Sequence, residues 1–416
     1  MASKHLKKSN KRARARAPEV PPASPPARHV DFKPALTEEA KKARKERRLS
    51  RRDFIGAIIT FIAAVVLFAT TIVIWFYQDS FRADELILST MTAVTAQDEY
   101  SFDAGSGQVF ASAGRGLAVA NSTGFELLGP DGSVVASKLL RMDEPAIAAC
   151  DSYAVFYDLG GTNIAAADFD GMLRELSVAG SILSVTVSSG GYMAVTTEAT
   201  GYQALVTVYN AALNPVYQWY SSSAWVISAA VSPDSHKLAV LSYTASGSEV
   251  RLFSLSQESQ LAAFSVADKV LLDVHWFSAT QLCAYTTEQV FFFQDSGQWM
   301  DTYSFSGQYL IGCATGGAGF ITFALSPYRA GTTSVLVSLS ASGKLLGTTD
   351  IQSEIISLTA YDSEVLTLCA DGAILYSDSL LEKGRITGLP GFKYGLLRAR
   401  GEALLIASNY AELYKF

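Results

Sequence analysis

The chain has 416 residues, of which 49% are hydrophobic and 17% charged, so it can build a sizeable core. Its net charge of −6 combines two opposite regions: residues 1–52 carry 17 Lys/Arg and 5 Asp/Glu, and the chain beyond residue 80 carries 16 Lys/Arg and 32 Asp/Glu. The acidic excess of the larger region argues against polyanionic partners such as nucleic acid or teichoic acid.

Residues 1–52 are predicted to be a disordered, basic and proline-rich cytoplasmic tail. The runs KHLKKSNKRARARA and PEVPPASPPA contain almost no apolar residues that could form a core. No aromatic residues are interleaved for base stacking, so the basic cluster favours an anionic lipid surface over nucleic acid. The last part, TEEAKKARKERRLSRR, predicts a short helix that Thr37 can cap.

Residues 53–78 are predicted to form one transmembrane helix, with the lipid bilayer as its partner. Phe54 to Tyr77 is a run of 24 residues without a charge or a proline. As a helix it would be about 36 Å long, enough to cross a hydrocarbon core of about 30 Å. Phe54 and Ile55 would begin the membrane anchor, and Trp75 and Tyr77 would lie in an outer aromatic belt.

The charge on either side of this run predicts its orientation. Arg47, Arg48, Arg51 and Arg52 directly precede it, and cytoplasmic flanks retain Lys and Arg. We therefore expect a single-pass protein of the plasma membrane with a cytoplasmic N-terminus and an extracytoplasmic C-terminal domain. A cleaved signal peptide fits poorly, because the run exceeds the usual length of about 7–15 residues and no small-x-small cleavage site follows it.

Small residues within the predicted span permit a homodimer through the membrane helix. Gly56, Thr60 and Ala64 recur every four residues, a spacing that lets two helices approach closely. Residues 79–98 are predicted to form a stalk that leads to the C-terminal domain.

Residues 99–416 are predicted to form an all-β domain built from repeats. Asp131-Gly132, Asp170-Gly171 and Asp371-Gly372 are signals for two-residue hairpins. Units beginning near residues 109, 146, 182, 226, 271, 310, 355 and 395 repeat a strand of small residues, a turn and a second strand. The period of about 35–45 residues is typical of a four-stranded blade. It predicts a β-propeller of eight blades, or seven if one weak unit is not a blade; a β-sandwich array is the alternative.

The first strand of each unit is predicted to line the crowded axis of the propeller. Small residues fit there; they are Ala148, Ala149, Ser184, Ala229, Ala230, Gly312, Cys313 and Ser357. The last unit ends after about three strands, so Glu99 to Ala104 is predicted to supply its missing outer strand and close the ring.

One turn carries a family resemblance. The segment SPDSHKLAV, Ser232 to Val240, resembles the S-P-D-G-x-x-L-A motif in blades of WD40-like and TolB-like propellers, with Ser235 where glycine is usual. The whole layout also resembles an uncharacterised bacterial family of single-pass membrane proteins with an extracytoplasmic β-propeller. The resemblance implies the β-propeller fold and brings no known activity.

No catalytic, cofactor-binding or metal-binding residues are predicted. His236 and His275 fall in different blades without a second ligand at metal-binding spacing, so both are interpreted as structural. The nearest approach to a convergent channel site is the set Asp273, His275, Arg398 and Arg400. The cysteines lack C-x-x-C spacing and are interpreted as buried free thiols, although spacing leaves disulfides open; they are Cys150, Cys283, Cys313 and Cys369.

Aromatic residues gather between the third and fourth units, at Tyr217, Trp219, Tyr220 and Trp225. They are interpreted as packing between blades or, alternatively, as an edge that binds a partner or a sugar. The sequence therefore predicts a membrane-anchored, non-catalytic binding or scaffolding propeller without a cofactor, whose partner is another envelope or membrane protein. The alternatives are a transmembrane ligand sensor that acts through a cytoplasmic partner, and an enzyme with a site in the propeller channel.

Overall fold

The computed structural model describes residues 99–317, 319–329 and 332–416, and these form eight separate four-stranded antiparallel sheets. The predicted all-β propeller with eight four-stranded blades is confirmed. The predicted tail, membrane helix and stalk (residues 1–98) lie outside the described residues.

The first strand, β1 (Glu99–Ser101), precedes all the blades. Blade 1 contains β2 (Val109–Ala113), β3 (Gly116–Asn121), β4 (Gly124–Leu128) and β5 (Val134–Leu139). Blade 2 contains β6 (Pro145–Ala149), β7 (Tyr153–Asp158), β8 (Asn163–Asp168) and β9 (Leu173–Ser177). Blade 3 contains β10 (Ile182–Val187), β11 (Met193–Ala199), β12 (Tyr202–Tyr209) and β13 (Pro215–Ser221). Blade 4 contains β14 (Trp225–Val231), β15 (Lys237–Thr244), β16 (Gly247–Ser254) and β17 (Gln260–Ala267).

Blade 5 contains β18 (Asp273–Trp276), β19 (Gln281–Tyr285), β20 (Gln289–Gln294) and β21 (Trp299–Ser304). Blade 6 contains β22 (Tyr309–Gly316), β23 (Phe320–Ser326), β24 (Ser334–Ser340) and β25 (Leu345–Ile351). Blade 7 contains β26 (Ile355–Tyr361), β27 (Glu364–Cys369), β28 (Gly372–Ser377) and β29 (Glu382–Thr387). Blade 8 contains β30 (Tyr394–Ala399), β31 (Glu402–Ile406), β32 (Tyr410–Lys415) and β1.

The burial of each strand follows its place in the blade. The second strands are covered by the neighbouring blades on both faces, and β3, β23 and β27 are buried along their whole length. The fourth strands lie at the rim and alternate between exposed and half-buried residues, as in β9 and β25. The first strands contact one another around the axis, where the predicted small residues are located.

The core lies between the blades rather than in one central mass. Eight hydrophobic clusters occur among the described residues, and each joins two neighbouring blades. Phe125 of blade 1 stacks on Phe156 of blade 2 with ring centroids 4.1 Å apart. Each blade therefore depends on both of its neighbours for burial of its apolar faces.

The two ends of the domain close the ring, as the sequence predicts. Strand β1 pairs antiparallel with β32, and Tyr100 lies opposite Ala411. Tyr100 is fully buried in the cluster that joins blades 8 and 1. Blade 8 thus combines three C-terminal strands with one N-terminal strand.

The hairpin signals are partly corrected. All three lie between paired antiparallel strands, but only the connection before Gly372 spans two residues. Asp131-Gly132 and Asp170-Gly171 belong to longer turns in which Gly132 and Gly171 both adopt φ +78°. In the β14–β15 turn, Ser235 adopts φ +59°, which explains why glycine is usual at that place of the motif.

Candidate functional site

One face of the ring carries most of the exposed aromatic side chains. In each blade the first and third strands begin, and the second and fourth strands end, on the same face, which we call the entry face. Among the described residues, seven of eight exposed aromatic side chains lie on it, namely Tyr202, Tyr220, Trp225, Tyr243, Tyr309, Tyr328 and Tyr394. The eighth, Trp299, begins the fourth strand of blade 5 on the opposite face.

Four of these side chains form an aromatic patch across blades 3 and 4: Tyr202, Tyr220, Trp225 and Tyr243. The rings of Tyr202 and Tyr220 lie 4.8 Å apart, and Trp225 pairs in register with Tyr243. The short connection between the blades is held by a hydrogen bond from the Ser221 hydroxyl to the Ala224 carbonyl oxygen, 2.5 Å long. Trp225 is 64% exposed and Tyr220 is 45% exposed, so the patch faces solvent.

The aromatic cluster predicted from the sequence therefore divides in two. Tyr217 and Trp219 pack against Phe253 of blade 4, with ring centroids 6.0 and 5.5 Å away. The guanidinium of Arg251 lies 5.8 Å from the centroid of the Trp219 ring. Packing between blades is thus the correct interpretation for Tyr217 and Trp219, whereas Tyr220 belongs to the exposed aromatic patch.

A cavity of about 450 Å³ lies along the propeller axis. Its wall comes mainly from the first strands of blades 1, 2, 5, 6, 7 and 8, and includes the apolar side chains Phe110, Leu358 and Leu397. Two titratable residues of β18, Asp273 and His275, line the cavity, as do Tyr285 and Cys313. The described lining includes no Lys or Arg. Ser112, Thr315 and Thr359 also line the cavity, so its wall combines apolar surface with hydrogen-bonding groups.

Asp273 is held at the start of β18 by two hydrogen bonds to one carboxylate oxygen. Its Oδ1 accepts from the Ser228 hydroxyl of blade 4 at 2.6 Å and from the Val274 amide at 2.8 Å. Burial raises the pKa of Asp273, and these two hydrogen bonds oppose the rise only in part. No hydrogen bond to Oδ2 is found within the described ranges.

The neighbours of Asp273 are neutral at pH 7. Burial lowers the pKa of His275 to about 4, and its ring lies edge-on to Phe277 with centroids 5.3 Å apart. The Cys313 thiol donates to the Tyr285 hydroxyl oxygen at 3.2 Å. Burial raises the pKa of Tyr285 and of Cys313, so both keep their protons.

Arg398 and Arg400 do not reach the cavity, although the sequence groups them with Asp273 and His275. Arg398 donates to Glu402 Oε2 at 3.1 Å and to the carbonyl oxygens of Pro130 and Arg115 at 2.8 and 3.1 Å. It also donates to the Tyr100 hydroxyl, so it belongs to the ring closure. Arg400 forms an exposed ion pair with Asp362.

All four cysteines are free thiols. Cys283 and Cys369 are buried, whereas Cys150 and Cys313 are partly exposed. The interpretation as free thiols is confirmed, and burial is complete for only two of them. Within the described ranges, no group of three His, Cys, Asp or Glu side chains is arranged to hold a metal ion.

The predicted membrane residues lie outside the described residues: Phe54, Ile55, Trp75, Tyr77, Arg47, Arg48, Arg51 and Arg52. Within the part of the chain that the structure does describe, no helix has the length and apolar character needed to cross a membrane.

Sequence reasoning missed Ser228 and Tyr285 at the channel, and Tyr202 and Tyr243 on the entry face. Ser228 contacts Asp273 across the boundary between two blades, and no local pattern predicts such a contact. Tyr202 and Tyr243 could have been found from their places at a strand start and near a strand end, because both ends lie on the same face.

Solved structures share the β-propeller fold of this domain. The C-terminal WD40 domain of Sif2 superposes with a TM-score of 0.55 at 9% identity, and the match covers 77% of this chain and 99% of that one. A structure described as the eukaryotic initiation factor superposes with a TM-score of 0.50 at 11% identity, covering 78% of this chain and 91% of that one. At such identities the likeness concerns the fold alone.

The chain belongs to the family described as Family of unknown function (DUF5711), whose profile matches residues 88–380. A comparison with curated proteins gave no match.

Proposed function

We propose that this chain is a membrane-anchored binding or scaffolding protein whose propeller binds a protein partner through its entry face. The observation that carries the proposal is the concentration of exposed aromatic side chains on that face, seven of eight among the described residues. Tyr and Trp are enriched at the centres of protein interfaces, where they bury a large apolar area and keep a polar tip. The function proposed is binding, without catalysis.

The aromatic patch is the proposed centre of the interface. Trp225 and the neighbouring tyrosines of blades 3 and 4 are exposed together, so a partner would bury them as one surface. Residues 99–416 carry 15 Lys/Arg and 29 Asp/Glu. A partner with an apolar centre and a basic rim would match this charge, and complementary charge speeds association and selects among partners.

The proposed partner is another membrane or envelope protein on the extracytoplasmic side. The run Phe54 to Tyr77 and the basic flank that includes Arg51 and Arg52 support a plasma-membrane anchor with this orientation. Two proteins held at the same membrane surface meet at a high effective concentration, so even a modest interface would suffice. The small residues Gly56, Thr60 and Ala64 support a homodimer that would make the scaffold bivalent.

Cross-linking in native membranes tests the interface. A photoreactive amino acid replaces Tyr220 in the full chain, and a second version carries it at Leu345, which is 54% exposed on the opposite face. We expect a discrete protein adduct from position 220 and none from position 345. The cross-linked protein is then identified, purified and titrated with the full chain.

The titration decides the proposal. We expect Trp225→Ala to weaken binding of the purified partner by about 2 kcal/mol or more, roughly 30-fold, as for an interface hot spot. Leu345→Ala should leave the affinity unchanged. Equal effects of the two variants, or no adduct at position 220, would overturn the entry face as the binding surface.

A further inference from the structure

We propose that the channel cavity binds a small organic ammonium ion, with the Asp273 carboxylate as its counter-ion. This would be a binding site separate from the entry-face patch and would add a small-molecule ligand to the proposed scaffold. The shape of the cavity, the charged and titratable groups of its wall and the hydrogen bonds that hold Asp273 support this site.

The size and walls of the cavity fit a small molecule. Its volume of about 450 Å³ falls in the usual range of ligand pockets, about 300–1,000 Å³. Phe110, Leu358 and Leu397 provide apolar surface, and Tyr285 and His275 add two further rings. A molecule with an ammonium group on a short aromatic or aliphatic chain would therefore place its apolar body against Phe110, Leu358 and Leu397 and its ammonium group at Asp273.

The charge of the wall selects a cation. Asp273 is the carboxylate of the lining, and the described lining residues include no Lys or Arg. The titratable groups around it are His275 on its own strand, Tyr285 and Cys283 on β19, and Cys313 on β22. All four are neutral at pH 7, so no charged side chain among the described lining residues pairs with the Asp273 carboxyl group.

The hydrogen bonds of Asp273 leave one oxygen for a ligand. Ser228 and the Val274 amide both donate to Oδ1, which fixes the carboxylate in the wall. Oδ2 has no donor within the described ranges. An ammonium ion at Oδ2 would form a charge-assisted hydrogen bond and offset the cost of burying the carboxylate.

The test compares amines with their neutral isosteres. The full chain in detergent micelles is titrated by calorimetry with tyramine, phenethylamine and cadaverine. Each is paired with the alcohol of the same skeleton, in which hydroxyl replaces ammonium. We expect saturable binding of at least one amine and no detectable binding of its alcohol. This comparison uses only the unmodified protein, so it does not depend on the folding of a variant.

Asp273→Asn removes the charge and keeps the shape of the side chain. It should weaken amine binding by about tenfold to a hundredfold, as expected for the loss of a charge-assisted hydrogen bond. The matched control is Asp362→Asn, a carboxylate outside the cavity at φ +51°, a conformation that asparagine also tolerates. This control should bind amines as the unmodified chain does.

The pH dependence gives a second readout. Amine binding should decrease as the pH falls and Asp273 takes up a proton, and protonation of His275 adds repulsion in the same direction. Asp273→Asn keeps only the contribution of His275. Equal binding of amine and alcohol, no binding of any amine, or unchanged affinity in Asp273→Asn would each overturn the proposal and leave Asp273 as a contact between blades 4 and 5 only.

Discussion

Asp273 and Arg398 both lie on first strands of blades, but Arg398 is buried and Asp273 half-buried, and their side chains have different partners. Arg398 is 4% exposed and lies within hydrogen-bond distance of a carboxylate, two carbonyl oxygens and a tyrosine hydroxyl. Asp273 accepts from one hydroxyl and one amide and faces a cavity whose described lining has no cation. Arg398 therefore has all of these hydrogen-bond partners within the fold. Asp273, in contrast, has no cationic partner among the described residues that line the cavity.

The two regions should also respond to pH with opposite signs. Burial alone would raise the pKa of Glu402, but the hydrogen bonds and charges of Arg115 and Arg398 outweigh it and hold the pKa below its ordinary value of 4.5. The stability that Glu402 contributes is therefore lost as the pH falls through this lowered pKa. The pKa of Asp273 is raised above 3.8, so its contribution is greatest when it is protonated and is lost as the pH rises through the raised pKa.

The largest effect on stability is expected from removing the guanidinium of Arg398 from its buried partners. Arg398→Met keeps the approximate length of the side chain but removes the buried donor to Glu402 and to the Arg115 carbonyl oxygen, whereas the Pro130 carbonyl oxygen keeps the Tyr100 hydroxyl as a donor. We expect the free energy of unfolding to fall by about 3–5 kcal/mol, the usual cost of removing one partner from a buried ion pair. Urea denaturation of the full chain in detergent measures it. A loss below about 1 kcal/mol would contradict a structural role for Arg398 in ring closure.

The next largest effect on stability is expected from protonation of His275, the neutral histidine near Asp273 on β18. Because the pKa of His275 is lowered to about 4, its contribution to stability is present above its ordinary pKa of 6.5 and is lost as the pH falls toward 4. We expect this loss to be on the order of 2 kcal/mol. His275→Phe should abolish it, whereas His236→Asn, which replaces an exposed imidazole, should keep it. Thermal unfolding between these two pH values is the measurement, and identical pH profiles for His275→Phe and the unmodified chain would disprove the assignment.

The sequence predicts those parts of the molecule that repeat. The starts of the eight units coincide with the first strands, and Ala229 and Ala230 lie on a first strand as their small size indicates. Glu99 could be assigned to blade 8 because a ring with an incomplete last blade must be closed by its other end. Period and size are local properties, so a single sequence is enough to read them.

Contacts between blades were not predictable in this way. The hydrogen bond from Ser228 to Asp273 joins residues 45 positions apart, and the position of Arg398 depends on Tyr100, 298 residues away. Such contacts depend on the register between two sheets, which the repeat period does not determine. The division of the aromatic cluster, in contrast, was predictable from local alternation. Along β13, successive side chains point to opposite sides of the sheet, so Tyr217 and Trp219 lie on one side and Tyr220 on the other.

Removing the charge of Asp273 should cost the fold little. In Asp273→Asn the side-chain oxygen can still accept from Ser228 and from the Val274 amide, while the ionisable carboxyl of this half-buried residue is lost. At pH 7 we expect the free energy of unfolding to be unchanged or to rise by about 1 kcal/mol. The free energy of unfolding of Asp273→Asn should also change less with pH above the ordinary pKa range of a carboxyl group, because the titrating carboxyl with its raised pKa is absent. A loss of more than about 1 kcal/mol in denaturant titrations would show that the carboxylate is needed for contact between blades 4 and 5.

The smallest effect on stability is expected at Arg400, two residues after Arg398. Arg400 also pairs with a carboxylate, that of Asp362, but both side chains are exposed. Solvent and salt screen such a pair, so Arg400→Ala should leave the denaturation midpoint unchanged at both low and high ionic strength. Arg398→Met should keep its deficit at high salt, because its partners are buried. If Arg400→Ala lowered stability as much as Arg398→Met, then burial would not be what distinguishes the two arginines, and the contrast between Arg398 and Asp273 would need another cause.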